Sequence, residues 1–147
     1  MIAWWPGHVP ANTINRSPAH IMDLLPTFLD LADTPYPTKY KGHEILPVEG
    51  ESMTPLLAGK SRKMHDLYWY WSRNRAVRQG DMKLVWDNSV RVWELYNIAE
   101  DRCEANDLAG NQPELVKRMA DDWFAWAKEM ELKITPDGSD SKKKKLH

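Results

Sequence analysis

The sequence predicts a mixed α/β protein, α+β when this chain is considered alone, built from two successive parts. Apolar residues recur at helical spacing between residues 23 and 57, after a short apolar run typical of a buried strand. From residue 67 to residue 96 the pattern changes to strand-like segments separated by turn residues, and another helical stripe follows. We therefore expect residues 1–60 to hold the last strand and helices of an α/β domain. Residues 61–134 should form a compact antiparallel sheet with one covering helix.

The composition excludes several classes of protein. The chain has 147 residues and a formal net charge of −1, which gives no general attraction to nucleic acid. No apolar run approaches the roughly 18 residues that a membrane-spanning helix requires. The single cysteine, Cys103, excludes an internal disulfide. Eight tryptophans are unusual in a chain of this length, and tryptophan occurs both in cores and in ligand clefts.

The first part is predicted to begin with a strand and continue with a helix. Residues 2–5 form an apolar run closed by Pro6 and Gly7, which indicates a buried strand ending in a turn. Asp23 is predicted to cap the helix, because Pro26 then falls in the first turn, where its missing N–H costs no hydrogen bond. Residues 25, 28, 29 and 32 give this helix an apolar face.

A second, shorter helix is predicted in the same part. Ser52 is its predicted cap, Pro55 lies in its first turn, and Gly59 ends it. Between the two helices, residues 34–51 are rich in proline, glycine and charge, which predicts a long surface loop.

The second part is predicted to be an antiparallel meander covered by a helix. Strands are expected at residues 67–71, 75–78, 82–86 and 90–96, with turns at 79–81 and 87–89. Asn111 and Glu114 have the spacing of a capping box for the helix that follows. Its apolar stripe should pack on one face of the sheet and consists of Leu115, Met119, Trp123, Trp126 and Met130. Residues 135–147 are predicted to be a disordered basic tail.

Four segments resemble the C-terminal region of the formylglycine-dependent sulfatases, and they follow one another along the chain in the same order as in that family. The most specific is AVRQGDMKLV at residues 76–85, followed by ELYN at 94–97 and EANDLA at 104–109. The family has a comparable run, AVR-x-G-x-x-K-L-V, then LY-(D/N)-L, then E-x-N-(N/D)-L-A. The others are IAWWPG at residues 2–7, DLLPTFLDLA at 23–32 and GESMTPLLAG at 50–59, which are similar to the family's strand end and two helices.

The resemblance implies the tail of an alkaline-phosphatase-like α/β domain followed by a small sheet-plus-helix subdomain. It implies hydrolysis of sulfate esters, with sulfated glycans among the expected substrates. It also implies that a full-length parent uses a formylglycine nucleophile and a calcium ion, and resides in the periplasm, outside the cell or in the lysosome. Cys103 lacks the proline and arginine of the maturation motif, so we assign no catalytic and no metal-binding residue here. This chain is expected to be a C-terminal fragment that is inactive alone.

Substrate contacts are predicted around residues 69–75, where aromatic side chains and arginines occur close together. Arginine gives bidentate contacts to sulfate and tryptophan stacks on a pyranose ring, which suggests Trp71, Asn74 and Arg75 as substrate-binding residues. In many sulfatases the corresponding segment reads Trp-Glu-His-x-Gly-Asn, whereas Tyr70 and Trp71 stand here in place of Glu and His. The alternative is an ordinary half-buried strand, with core tryptophans on one side and solvated arginines on the other.

Two further groups are interpreted without a binding role. Asp101, Glu104 and Asp107 have the density of a calcium loop, but the intervening residues do not supply six to eight oxygens around one point. We interpret them as a solvated turn. The five histidines are too scattered for the i, i+4 spacing of a helical metal pair. A different class of function is also open, a standalone binding module for sulfated glycans derived from a sulfatase tail.

Overall fold

A computed structural model describes residues 1–62 and 64–134 of the chain. The chain divides into two compact units, Met1–Met64 and one that begins at His65, and each is described by itself. The predicted tail at residues 135–147 lies outside the described residues. Within the described part, no helix is both long enough and apolar enough to cross a membrane.

The first unit contains two helices and a small hairpin. A 3-10 turn at Ile21–Asp23 runs directly into helix α1, Leu24–Leu31, and helix α2 is Thr54–Leu57. The predicted loop between them holds strands β1, Lys39–Tyr40, and β2, His43–Glu44, which pair antiparallel. Gly59 ends α2 with a φ of +75°, a conformation that glycine adopts without steric cost.

Two predictions for the first unit differ from the structure. Residues 2–5 form no strand, and Ile2 and Trp4 are almost fully exposed, because the described chain offers them no neighbouring strand to pair with. Asp23 occupies the N-cap position of α1, as predicted, but its side chain makes no capping hydrogen bond to that helix. Its Oδ2 instead accepts a hydrogen bond from the backbone N–H of His20 at 2.8 Å, and the His20 ring accepts from the N–H of Met22, which forms a capping box at the start of the 3-10 turn.

Helix α1 is attached to the chain before α2 by a ladder of polar contacts. Asp23, Thr27 and Asp30 lie on one side of α1 at i, i+4 and i+7. The Glu51 N–H donates to Asp23 Oδ1 at 3.0 Å, and the Met53 N–H donates to Thr27 Oγ1 at 2.8 Å. The Ser52 hydroxyl donates to Asp30 Oδ2 at 2.5 Å.

Asp23 is also half of a buried ion pair. Its carboxylate is fully buried and accepts from Arg62 Nη2 at 2.5 Å. Burial raises the pKa of Asp23, but the donated N–H groups of His20 and Glu51 and the Arg62 guanidinium outweigh it and lower the pKa below its usual value. Arg62 Nη1 donates to the backbone oxygens of Glu51 and Ser52 as well. The ladder and the ion pair therefore join three distant stretches of the first unit.

The second unit is the predicted meander. Its strands are β3, Leu67–Trp71, β4, Asn74–Gln79, β5, Met82–Asp87, and β6, Val92–Asn97, and each pairs antiparallel with the next. The turn after β4 uses Gly80 at a φ of +60°, as the glycine in the predicted turn suggests. The strand periodicity predicted a meander of three or four antiparallel strands, and the sheet has four in sequence order.

Helix α3, Pro113–Glu129, packs its stripe against β4, β5 and β6 as predicted. Asn111 is not its cap, however, because Gln112 occupies that position and no side chain caps the helix. Met119 and Trp123 are fully buried at the centre, whereas Met130 is exposed where the helix runs past the sheet. The core of the unit consists of Val77, Leu84, Leu95, Met119, Ala120, Trp123 and Ala127.

Candidate functional site

The most exposed aromatic side chain of the sheet lies at the hairpin that joins β3 to β4. Trp71 ends β3 and is 81% exposed, and Asn74 begins β4 directly opposite it. The two-residue turn between them, Ser72 and Arg73, has φ values of 49° and 72°. A turn of this type requires positive φ at both positions and prefers Asn-Gly, so two residues with side chains are held here at a steric cost.

Trp71 and Asn74 lie on the same face of the sheet, because directly paired residues project to one side. Asn74 also has a structural contact, since its Oδ1 accepts from the N–H of Asn88 in the turn after β5 at 2.9 Å. Asn74 therefore connects two neighbouring hairpins. The structure brings together two of the three predicted substrate-binding residues at one exposed end of the sheet.

Arg75, the third predicted residue, is not at this surface. It lies on the opposite, helix-facing side of β4 and is 2% exposed. Its guanidinium carbon is 5.1 Å from the ring centroid of Trp86, 5.1 Å from that of Trp123 and 5.3 Å from that of Phe124. Three aromatic faces at this distance hold the cation by cation–π attraction. The alternative prediction, that the arginines of this strand are solvated, is therefore also wrong for Arg75, because strand alternation places its side chain beneath α3.

The aromatic residues around Arg75 form one connected group. The rings of Trp86 and Trp93 are 5.4 Å apart, and those of Trp93 and Trp123 are 6.4 Å apart. The Trp123 indole N–H donates to the backbone oxygen of Trp69 at 3.1 Å, which ties α3 to β3 just before the hairpin. The exposed hairpin is thus supported from beneath by an aromatic group in which Trp123 is fully buried and Trp86 and Trp93 are half-buried.

The helix-free face of the sheet has a shallow concavity of about 430 Å³ lined by Trp69, Ala76, Arg78, Lys83, Ile98 and Glu104. Its two cations are already engaged. Lys83 pairs with Glu104 at 2.5 Å, and Arg78 Nε donates to the backbone oxygen of Gly80 at 2.9 Å. Nearby, burial and the Glu94 carboxylate raise the pKa of Tyr96 to about 12, so its hydroxyl stays protonated and donates to Glu94. This face carries little net charge.

In the acidic turn, formed by Asp101, Glu104 and Asp107, each carboxylate contacts another group of the protein. Asp101 Oδ2 accepts from the N–H groups of Ala105 and Asn106, and Asp107 Oδ1 accepts from the N–H of Leu95. Among the described residues, no group of three or more His, Cys, Asp or Glu side chains is placed to hold a metal ion. Cys103 lies exposed in the same turn.

Comparison with known proteins gives the class of this fold. The chain superposes on the crystal structure of Ps i-CgsB with a TM-score of 0.66 at 23% identity, over 92% of this chain and 28% of that chain. Another solved neighbour is a putative sulfatase from Bacteroides thetaiotaomicron, with a TM-score of 0.54 at 22% identity, over 74% of this chain and 24% of that chain. These likenesses show a shared fold of mixed helices and antiparallel sheet.

The family follows from the sequence match. The family described as N-sulphoglucosamine sulphohydrolase, C-terminal, matches residues 1–124, and the chain belongs to it. An uncharacterized sulfatase of Schizosaccharomyces pombe is 27% identical over 140 residues, which is 90% of this chain and 25% of that protein. The N-acetylglucosamine-6-O-sulfatase of Bacteroides thetaiotaomicron is 30% identical over 117 residues, 75% of this chain and 21% of that protein. The chain thus spans about a quarter or less of these relatives.

Proposed function

We propose that this chain is the C-terminal portion of a sulfatase that hydrolyses sulfate esters of glycans. The observation that carries the proposal is the family match over residues 1–124, which includes all of the first unit and the second unit as far as Phe124 in α3. The Bacteroides thetaiotaomicron relative is named for a sulfated amino sugar, which supports a glycan substrate.

Within such an enzyme, the hairpin between β3 and β4 would contact the substrate. Trp71 offers a flat, exposed apolar face on which a pyranose ring can stack. Asn74 offers an amide on the same side of the sheet. Backbone strain of the kind seen at Ser72 and Arg73 is concentrated at functional sites, where the surrounding structure maintains it. Arg75 would act indirectly, by stabilising the packing beneath the hairpin.

The chemistry would belong to other parts of the enzyme. We propose that the formylglycine, the calcium ion and the groups that bind the sulfate are supplied upstream, and that this chain alone is inactive. This is consistent with the acidic turn, whose carboxylates are engaged with backbone N–H groups or with Lys83. Cys103 stands in Cys-Glu-Ala-Asn-Asp, without the proline and arginine of the maturation motif.

A standalone module that binds sulfated glycans is the second candidate. One observation favours it: the second unit has a continuous buried core of its own, from Val77 to Ala127. Such a module would show cooperative unfolding and saturable binding of sulfated oligosaccharides by the 147-residue chain. The same chain as an enzyme fragment would show neither sulfated-glycan binding nor sulfatase activity.

The first experiment is to read the coding DNA upstream of the Met1 codon and express the longest open frame. Hydrolysis of an aryl sulfate by that product, and none by the 147-residue chain, is the expected result. In the active protein, Trp71→Ala should raise KM for a sulfated oligosaccharide about tenfold, equivalent to about 1.4 kcal/mol of binding. Val90→Ala, in the exposed turn between β5 and β6, is the matched control and should leave KM unchanged. Aryl sulfate hydrolysis by the short chain itself would contradict the proposal.

A further inference from the structure

Three exposed side chains form a row across the helix-free face of the sheet, at the end that carries the β3–β4 hairpin. Trp71 of β3 pairs directly with Asn74 of β4. Asp87 of β5 lies on the same face, because it follows Trp86, which pairs with Arg75 on the helix-facing side. Strands lie roughly 5 Å apart, so the row spans about 10 Å. We call these three exposed residues, Trp71, Asn74 and Asp87, the hairpin row.

The turn after β5 holds the two polar side chains of the hairpin row. The N–H of Asn88 donates to Asn74 Oδ1 at 2.9 Å, and the N–H of Ser89 donates to Asp87 Oδ1 at 2.7 Å. A backbone N–H only donates, so the atom of the Asn74 amide that faces the turn is the carbonyl oxygen. The amide nitrogen Nδ2 is thereby left as a donor beside Trp71.

Asp87 supplies the opposite hydrogen-bonding character. Hydrogen bonds from Ser89 lower the pKa of Asp87 below its usual value, so the carboxylate is ionised at neutral pH. An ionised carboxylate only accepts hydrogen bonds, and its Oδ2 adds acceptor positions to those of Oδ1. The hairpin row thus sets a donor next to an acceptor, beside a flat aromatic face. Because both groups are held before a ligand arrives, binding immobilises less.

This combination fits a sugar ring that presents hydroxyl groups. A hydroxyl both accepts and donates, so two neighbouring hydroxyls can accept from Asn74 Nδ2 and donate to Asp87 Oδ2 while the ring stacks on Trp71. A sulfate group has no proton to donate, and it would lie close to a carboxylate charge of the same sign. Arg73 and Arg91, which would favour an anion, belong to the turns beyond the strand ends and lie outside the row.

We propose that the hairpin row is a subsite for an unsulfated sugar ring with neighbouring hydroxyls, and that Asp87 is a specificity-determining residue. This deepens the proposed function and rests on it. The sulfate ester that is hydrolysed belongs to a different ring of the glycan. A glycan whose ring over Trp71 is itself sulfated binds less well.

The test is an amide NMR titration of the 147-residue chain. The probes are the methyl glycosides of galactose, glucose and mannose, each compared with its 3-sulfate, in which the sulfate interrupts both pairs of neighbouring ring hydroxyls. We expect a neutral sugar to shift the signals of the Trp71 indole, the Asn74 side-chain amide and the Ser89 N–H. The Kd of its 3-sulfate should be at least about tenfold higher, because of the Asp87 charge.

Two variants keep the hydrogen bonds to the turn and change only the groups presented to the ligand. Asn74→Asp retains Oδ1 for the Asn88 N–H but loses the donor, and should raise the Kd of the neutral sugar about tenfold. Asp87→Asn retains Oδ1 for the Ser89 N–H and should bring the two Kd values within about threefold of each other. Asp81→Asn, in the turn at the other end of the sheet, is the matched control and should change neither Kd. A merely structural role of Asn74 and Asp87 predicts unchanged Kd values throughout.

The outcomes separate this inference from the sulfatase proposal. Unshifted signals with all three neutral sugars would overturn the subsite. A 3-sulfate that binds as tightly as its neutral sugar would overturn it too, since Arg73 and Arg91 would then outweigh Asp87. Aryl sulfate hydrolysis by the product of the longest open frame is measured separately. An active product with no neutral-sugar binding refutes the subsite alone, and an inactive product with that binding refutes the sulfatase proposal alone.

Discussion

Replacing Arg75 distinguishes a core residue from a substrate contact. The side chain is 2% exposed and its guanidinium lies against the rings of Trp86, Trp123 and Phe124 at 5.1 to 5.3 Å. A cation–π contact contributes roughly 0.5 kcal/mol when exposed and roughly 2 kcal/mol when desolvated, so three contacts amount to about 1.5 to 6 kcal/mol. Arg75→Ala removes them and leaves a cavity, and Arg75→Lys keeps the charge but loses the planar group that stacks on the rings.

We therefore expect Arg75→Ala to lower the free energy of unfolding of the second unit by about 3 kcal/mol. For a unit of this size, each kcal/mol shifts Tm by roughly 4 to 8 °C. Guanidinium unfolding followed by tryptophan fluorescence gives the change directly, and Arg73→Ala, at the exposed turn, is the control with an expected change within about 0.5 kcal/mol. The reasoning would be refuted by a loss below about 1 kcal/mol for Arg75→Ala. It would be refuted equally if Arg75→Lys were as stable as the original chain yet, in the active product of the longest open frame, raised KM for a sulfated oligosaccharide as much as Trp71→Ala does.

Three further predictions concern the first unit and the hairpin. Because the folded-state pKa of Asp23 is lowered, its stabilisation is present above its unfolded pKa near 4 and is lost as pH falls through the folded value. Urea unfolding monitored by helical circular dichroism at pH 6 and pH 3 should show that loss, and Asp23→Asn should reduce the difference. Gly50→Ala should destabilise the first unit by about 1 to 3 kcal/mol, since the added Cβ would lie too close to the backbone oxygen of Met22. Gly110→Ala is the control and should have no such effect, because there is open space around the added Cβ. Equal effects of the two substitutions on the free energy of unfolding would contradict this reasoning. Replacing Ser72 and Arg73 by Asn-Gly should stabilise the second unit by about 1 to 2 kcal/mol, and a lower Tm would show that the turn is not strained.

The site was predictable only in part. The sequence placed Trp71 and Asn74 close together in one segment, and the pairing register of β3 with β4 puts them on the same face of the sheet. The same alternation places Arg75 on the other face. Sequence reasoning could not tell which face α3 covers, because an arginine on a half-buried strand is usually solvated. Trp86 and Phe124, which enclose Arg75, come from other elements and gave no local signal of that contact.

By itself, the sequence determined the elements whose contacts are local or periodic. The four-stranded meander and the stripe of α3 follow from strand alternation and helical spacing, since neighbouring strands are joined by short turns and each must bury one face. Only the tertiary structure decided the role of Asp23, the exposure of residues 2–5 and the outward, solvent-exposed position of the apolar side of α1. The role of Asp23 and the outward side of α1 depend on partners 28 and 39 residues away from Asp23, Glu51 and Arg62, whose buried polar contacts override the apolar pattern of the helix. The exposure of residues 2–5 follows from the lack of a neighbouring strand among the described residues.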